Sequence, residues 1–159
     1  MRTASIAFIL ALTGSAVADD LPNHRMTPGA TNPALTQKVL CAKGFTTKKY
    51  RKVTPAMDIA IFKAYGMSRN KKPCPCEDDH LISLELGGSN VNKNRWPQSY
   101  TTKPWNATVK DRLENKLHEL VCSGKITLKQ AQHEISTNWI NSYKTHCKAN
   151  ACPAWRPPK

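Results

Sequence analysis

Between Asn106 and Val121 the apolar residues Val109, Leu113, Leu117 and Leu120 fall within about 80° of one another at about 100° per residue, which predicts an amphipathic helix. Asp111, Glu114, Asn115 and His118 occupy its opposite arc. After Gly124, Thr127 and Gln130 have the spacing of a capping box, and Ala131, Ile135, Trp139 and Tyr143 then trace a second amphipathic helix ending near Cys147. A shorter helix is predicted from Thr54-Pro55, as N-cap and first helical residue, through Met57, Ile61 and Tyr65 to a stop at Gly66. The segment Asp79 to Leu86, with Leu81, Ile82, Leu84 and Leu86 before Gly87-Gly88, suits a strand entering a hairpin. Its return strand is expected over about Asn92 to Trp96, ended by Pro97, and a short strand over Leu35 to Cys41. Residues 19–34 lack periodicity and are expected to form a loose arm, leaving 35–159 as a single α+β domain with an extended tail held by Cys152.

The N-terminus changes where this domain is expected to reside. Arg2 precedes an uncharged run from Thr3 to Val17 that closes with Ala16-Val17-Ala18, the pattern of an export signal over residues 1–18 cleaved after Ala18. The run is shorter than the roughly 20 apolar residues a bilayer-spanning helix needs, so a periplasmic or secreted protein without stable membrane association is expected. Cys41, Cys74, Cys76, Cys122, Cys147 and Cys152 form an even set, which in an oxidising compartment points to disulfides. Cys74 and Cys76 are separated by one residue and are expected each to reach elsewhere. Zinc ligation is disfavoured, because no C-x-x-C pair or Cys…His spacing of a zinc site is present.

Charge narrows the class of partner. With 24 Lys and Arg against 11 Asp and Glu, the 159-residue chain carries +13, and loss of residues 1–18 removes only Arg2. Such a surface attracts nucleic acid, anionic lipid and acidic polysaccharide alike. One basic run is Lys48, Lys49, Arg51 and Lys52; a second is Arg69, Lys71 and Lys72, just before the stretch that carries the candidate chemistry.

That stretch is EDDHLISLELGGSNVNKNRWPQ, Glu77 to Gln98. Hydrolysis of a phosphodiester needs a base for water and a cation against the charge developing on phosphate and leaving oxygen. Neutral His80 suits the first task at neutral pH, and the Asp79 carboxylate suits a hard divalent cation such as Mg2+. In an ideal strand Asp79 and His80 point to opposite faces, so the strand must bend, bulge or only begin there for both to serve one site. A further ligand must come from another element, with Asn115, or else Asp111, Glu114 or His118, available on the polar arc of the 106–121 helix. Gly87-Gly88 permits a sharp loop that Asn94 can hold through backbone hydrogen bonds. Trp96 and Trp105 flank the candidate site as potential base-stacking residues; for Trp96, packing under the hairpin is favoured over stacking on a base.

DHLISLELGG followed by NRWPQ resembles the Asp-His, Gly-Gly, Asn block of the HNH endonucleases, the ββα-metal nucleases, and especially small exported members whose chain continues like VKDRLENKLHELVCSGKITLKQAQHEI. The resemblance runs from about Cys41 to Tyr143. It implies a ββα-metal hairpin-plus-helix core with additional helices, braced by disulfides in place of zinc-knuckle cysteines. It implies Asp79 and Asn115 as metal ligands, His80 as general base, and Asn94 as the residue steadying the loop that orients His80. Glu77, Asp111 and Glu114 are accessory candidates on the same resemblance, with Lys110 in the same block. Asp78 departs from the pattern, standing where an apolar residue is usual. The expected function is an exported, metal-dependent endonuclease acting on nucleic acid, DNA foremost, with little sequence preference. Two alternatives remain: a non-enzymatic cationic module binding nucleic acid or envelope polymer on the same fold, and a disulfide-braced inhibitor or toxin-like protein that would leave Asp79-His80 unused.

Overall fold

The computed structural model describes residues 21–68, 75–148 and 151–152, so the stretch expected to be an export signal, the second basic run, Cys74 and the tail from Pro153 lie outside the described residues. The chain is mixed helix and strand, in the order α1 (Gln37–Leu40), α2 (Pro55–Ala64), β1 (Cys76–His80), β2 (Arg95–Ser99), α3 (Ala107–Cys122) and α4 (Leu128–His146). Asn106 starts α3 by accepting a hydrogen bond from the Val109 amide, satisfying one of the donors a helix N-terminus leaves unpaired. Leu113, Leu117 and Val121 on its apolar stripe are fully buried, together with Ala131, Ile135 and Trp139 of α4. This two-helix layer is the main core, and it accounts for the 3.6-residue periodicity of both segments.

Only half of the predicted capping box forms. The Thr127 hydroxyl accepts from the Gln130 amide, but the Gln130 side chain bonds Glu134 instead of turning back. The second helix is also not continuous, because Asn138 leaves helical geometry (φ −163°, ψ 93°) and its side chain caps the following turn at the Asn141 amide. α2 matches expectation, with Thr54 capping the Met57 amide and Ile61 and Phe62 buried.

Three strand expectations are corrected. Residues 35–41 contain α1, not a strand: the Leu40 and Cys41 amides bond the Thr36 and Gln37 carbonyls within the turn, Leu40 is buried, and Gln37 Nε2 donates to the Val121 carbonyl of α3. The first hairpin strand begins and ends earlier than the apolar run suggests, at Cys76–His80. Leu81, Ile82, Leu84 and Leu86 are all buried, but in a loop ending in a 3-10 turn at Leu84–Leu86 that fills space against the helices. A buried loop and a buried strand leave the same apolar run in a sequence. The return strand is β2, paired antiparallel so that Asp79 faces Trp96 and His80 faces Arg95. Pro97 lies within it opposite Asp78, which a two-stranded sheet tolerates because each strand has an outer edge needing no amide donor.

Residues 21–34, expected to be a loose arm, form no helix or named strand, yet they are held against the hairpin loop. The buried Thr27 hydroxyl donates to the Arg95 carbonyl, the Gly29 amide to Lys93, and Thr31 bridges Gly88.

Disulfides Cys41–Cys122 and Cys147–Cys152 tie α1 to the end of α3 and close the end of α4. Cys76 is also disulfide-bonded. Such bonds fit an oxidising compartment, and among the described residues no helix is long and apolar enough to cross a membrane. Cys41–Cys122 spans 81 residues, so replacing both cysteines with serine is expected to lower stability by about 2–4 kcal/mol. The check is the midpoint of urea unfolding; an unchanged midpoint would contradict the loop-closure argument.

Candidate functional site

β1 ends at His80 instead of beginning there. Asp79 and His80 both line one cavity of about 460 Å3, together with Asp111, Glu114 and Asn115 of α3. The other walls come from the 3-10 loop through Glu85, from Tyr100 after β2, and from Thr47 and Arg51 ahead of α2. Six carboxylates border the cavity, Glu77, Asp78, Asp79, Glu85, Asp111 and Glu114, out of 11 in the whole chain. A protein of net charge +13 thus gathers most of its negative charge in one place.

Lys110 answers part of that charge. Fully buried, its ammonium pairs with Asp79 Oδ2 at 2.7 Å, donates to the His80 carbonyl at 2.7 Å and pairs with Glu114 one helical turn on. Burial alone would depress its pKa, but the Asp79 and Glu114 carboxylates outweigh this and push it up. Asp78 is neither a spare charge for the cavity nor a solvent-facing variation: its carboxylate binds the buried Arg95 guanidinium through two hydrogen bonds.

The remaining acids are shifted toward the protonated form. Burial, then the Asp79 carboxylate, pushes Glu77 up to about 7 against the opposing Tyr100 hydrogen bond at 2.6 Å. Burial followed by Asp111 pushes Glu85 up to about 7, and burial followed by Asp79 pushes Asp111 up to about 6. Burial also holds Glu114 well above the usual carboxylate range despite Lys110. Crowded, desolvated carboxylates raise one another's pKa in this way.

His80 is held as a neutral base. Burial pulls its pKa down to about 4, with the Asp79 carboxylate opposing. Its Nε2 lies 3.1 Å from Asn90 Oδ1, and the Asn90 amide is oriented because its Nδ2 donates to the Tyr50 carbonyl at 2.9 Å. Since Oδ1 can only accept, Nε2 carries the proton and Nδ1 keeps the lone pair.

Asn94, fully buried, spends its hydrogen bonds on backbone and not on the imidazole. Its Oδ1 accepts from the Ile82 and Ala30 amides, and its Nδ2 donates to the Ile82 and Ser89 carbonyls. It thereby staples the loop from which Asn90 reaches His80. Gly87 takes a left-handed conformation (φ 77°), and a Cβ on Gly88 would sit 1.8 Å from the Ile82 carbonyl oxygen. Gly88→Ala must therefore displace backbone, and is expected to cost about 1–3 kcal/mol and lower the melting temperature. A wild-type melting curve would show that the loop is not packed as described.

Of the sequence candidates, Glu77, Asp79, His80, Asp111, Glu114 and Asn115 converge on the cavity. His118, weighed as a metal ligand there, does not: it bonds the Leu40 carbonyl and lies near Cys122 Sγ. Ligand atoms of Cys41, His118 and Cys122 lie within 4.8 Å of one another, a grouping the linear Cys and His spacing did not suggest; in this oxidised state the two sulfurs are bonded to each other. Trp96 is buried in the core, and Trp105 packs edge-on against Trp139 and Tyr143. Glu85, Asn90 and Tyr100 were not singled out by the sequence reading. Asn90 lies in the Gly-Gly-Ser-Asn loop, so a polar residue just past the paired glycines was the available signal.

The donor set suits a hard divalent cation. Asp111 and Asn115 lie one helical turn apart, and the Asn115 Nδ2 donates to the Asp111 carbonyl, with no donor to its Oδ1 among the described residues. The side-chain carboxylates of Asp111 and Glu85 have no hydrogen-bond donor among the described residues, whereas Asp79 is shared with Lys110. Oxygen donors of this kind favour Mg2+, Mn2+ or Ca2+ over softer metals. Comparison with family models, with curated proteins and with solved structures returned no match for this chain.

Proposed function

We propose that the protein is an exported, divalent-metal-dependent endonuclease that hydrolyses phosphodiester bonds of nucleic acid with little sequence preference. The observation that carries this reading is a neutral histidine, its proton held on Nε2, in a carboxylate-lined cavity on an otherwise strongly basic chain. Basic surface draws in the phosphate backbone, while the acidic cavity would repel phosphate unless a cation sat between them. The resemblance of Glu77–Gln98 and the following helix to the HNH block supports the same reading, with a hairpin and helix in the order β1, β2, α3.

His80 Nδ1 takes the proton from the attacking water. Asp79, Asp111 and Asn115 would hold the metal, with Glu77, Glu85 and Glu114 lining the same cavity. A bound Mg2+ would supply electrophilic stabilisation of the phosphate and the leaving oxygen. Asn90 fixes the tautomer of His80, Asn94 fixes the loop carrying Asn90, and Lys110 positions Asp79 and the His80 carbonyl. Assigning Asp111 beside Asn115 extends the sequence expectation, because both sit on one face of α3 with side-chain oxygens that no donor bonds among the described residues.

The test is incubation of oxidised protein lacking residues 1–18 with supercoiled plasmid, in Mg2+ or Mn2+ and in excess chelator. Nicking confined to the metal-containing reactions is expected. Plasmid left intact with every divalent ion would favour the non-enzymatic cationic module, and nicking that persists in chelator would exclude the metal mechanism.

A further inference from the structure

The segment 46–51 serves two cavities. It gives Thr47 and Arg51 to the carboxylate-lined one, and Thr46, Lys49 and Tyr50 to a second of about 390 Å3. The second has the opposite character. Lys38, Lys43 and Lys49 line it, no carboxylate does, and none of the three is in an ion pair among the described residues. Its aromatic lining is ordered: the half-buried Phe45 ring stacks on Tyr50 at 5.6 Å and 22°, and on His118 of α3 at 6.2 Å and 29°. The Lys49 ammonium stands 5.8 Å from the Tyr50 ring centroid.

Ammonium groups without carboxylate partners around a short aromatic stack fit a ligand that joins an anion to a flat ring. A nucleotide within a single strand has that composition, since every base offers a π-face and every linkage a phosphate. A duplex fits less well, because its bases are already stacked on one another. Tyr50 also links the cavities directly, its carbonyl holding the Asn90 amide that orients His80.

We propose that this second cavity is a seat for an unstacked base of single-stranded nucleic acid, flanking the bond to be cut, with Phe45 and Tyr50 receiving the base and Lys38, Lys43 and Lys49 the adjoining phosphates. Its place beside a scissile bond rests on the endonuclease reading of the neighbouring cavity; binding at the seat does not. The seat confers a preference for single strands, or for frayed and looped regions of duplex, on an otherwise sequence-tolerant protein.

The experiment is fluorescence anisotropy with a short labelled oligothymidylate in excess chelator, so that neither metal nor turnover is required. Phe45→Leu and Tyr50→Leu keep apolar volume and remove the ring; each is expected to weaken binding about tenfold. The same variants should bind a base-free inorganic polyphosphate as wild type does. Lys49→Gln changes an exposed side chain and is expected to flatten the salt dependence of binding by about 0.7 in log–log slope. Wild-type affinity for oligothymidylate in both leucine variants, an equal loss with polyphosphate, or an unchanged slope in Lys49→Gln would each overturn the seat. Should plasmid never be nicked while these losses appear, the seat stands and the catalytic reading falls.

Discussion

His80→Ala protein is expected to nick supercoiled plasmid about 10²–10⁴-fold more slowly than wild type at neutral pH in Mg2+, the range by which a positioned general base accelerates proton transfer. The imidazole has the necessary form before any substrate arrives. Burial keeps it neutral, and Asn90 keeps the proton on Nε2. Because His80 is itself buried, His80→Gln is the companion variant: it preserves polarity and approximate size while lacking a basic nitrogen. Both should be equally inactive and both should retain the wild-type circular dichroism spectrum. Rates within tenfold of wild type in either folded variant would remove His80 from the mechanism.

The second large effect concerns Lys110. Lys110→Met is expected to destabilise the metal-free protein by about 3–5 kcal/mol at pH 8, because removing one partner of a buried ion pair leaves the others uncompensated. Here the abandoned partners are Asp79 and Glu114, with Glu77, Glu85 and Asp111 close behind. The pH dependence has a defined sign. Glu77 and Glu85 are raised to about 7 and Asp111 to about 6 in the folded protein, whereas carboxyls of the unfolded chain titrate near about 4. Between those limits the native state binds more protons than the unfolded state, so stability falls as pH rises from about 4 to about 7. His80, depressed to about 4, acts oppositely up to about 6.5, but it is one group against three. Urea midpoints of metal-free wild type should therefore be lower at pH 7.5 than at pH 5, and the Lys110→Met deficit should shrink at pH 5. Millimolar Mg2+ should restore stability at pH 8 in both proteins and have little effect at pH 5, where protons compete. Equal midpoints at the two pH values, with no response to Mg2+ or Mn2+, would contradict a cation-requiring cavity.

These effects bear on what kind of information each residue carries. The helix periodicities, the caps at Thr54 and Thr127, and the Asp79-His80 pair followed by Gly-Gly and Asn94 are local patterns, and a single helix or turn is dictated over a few residues. The strand boundaries were less legible. Leu81, Ile82, Leu84 and Leu86 are buried as their hydrophobicity demands, but burial does not distinguish a strand from an inward-folded loop. The short segment at 37–40 coils and sits against α3, with Gln37 bonded to the Val121 carbonyl, a fact about its neighbours that its own residues do not hold.

By itself, the sequence determined the two long helices, the strongly basic charge of the chain, and the residue types gathered around the candidate site. Only the tertiary structure decided how they are used. It paired Asp78 with Arg95 and Asp79 with Lys110, carried His118 away to the Cys41–Cys122 disulfide, and brought Asn90 to His80 across ten residues. Charge balance, tautomer choice and pKa depend on distance and desolvation in three dimensions. EDDHLISLELGGSNVNKNRWPQ names the donors, but the buried ammonium from α3 and the carbonyl of Tyr50 settle which of them remain free to act.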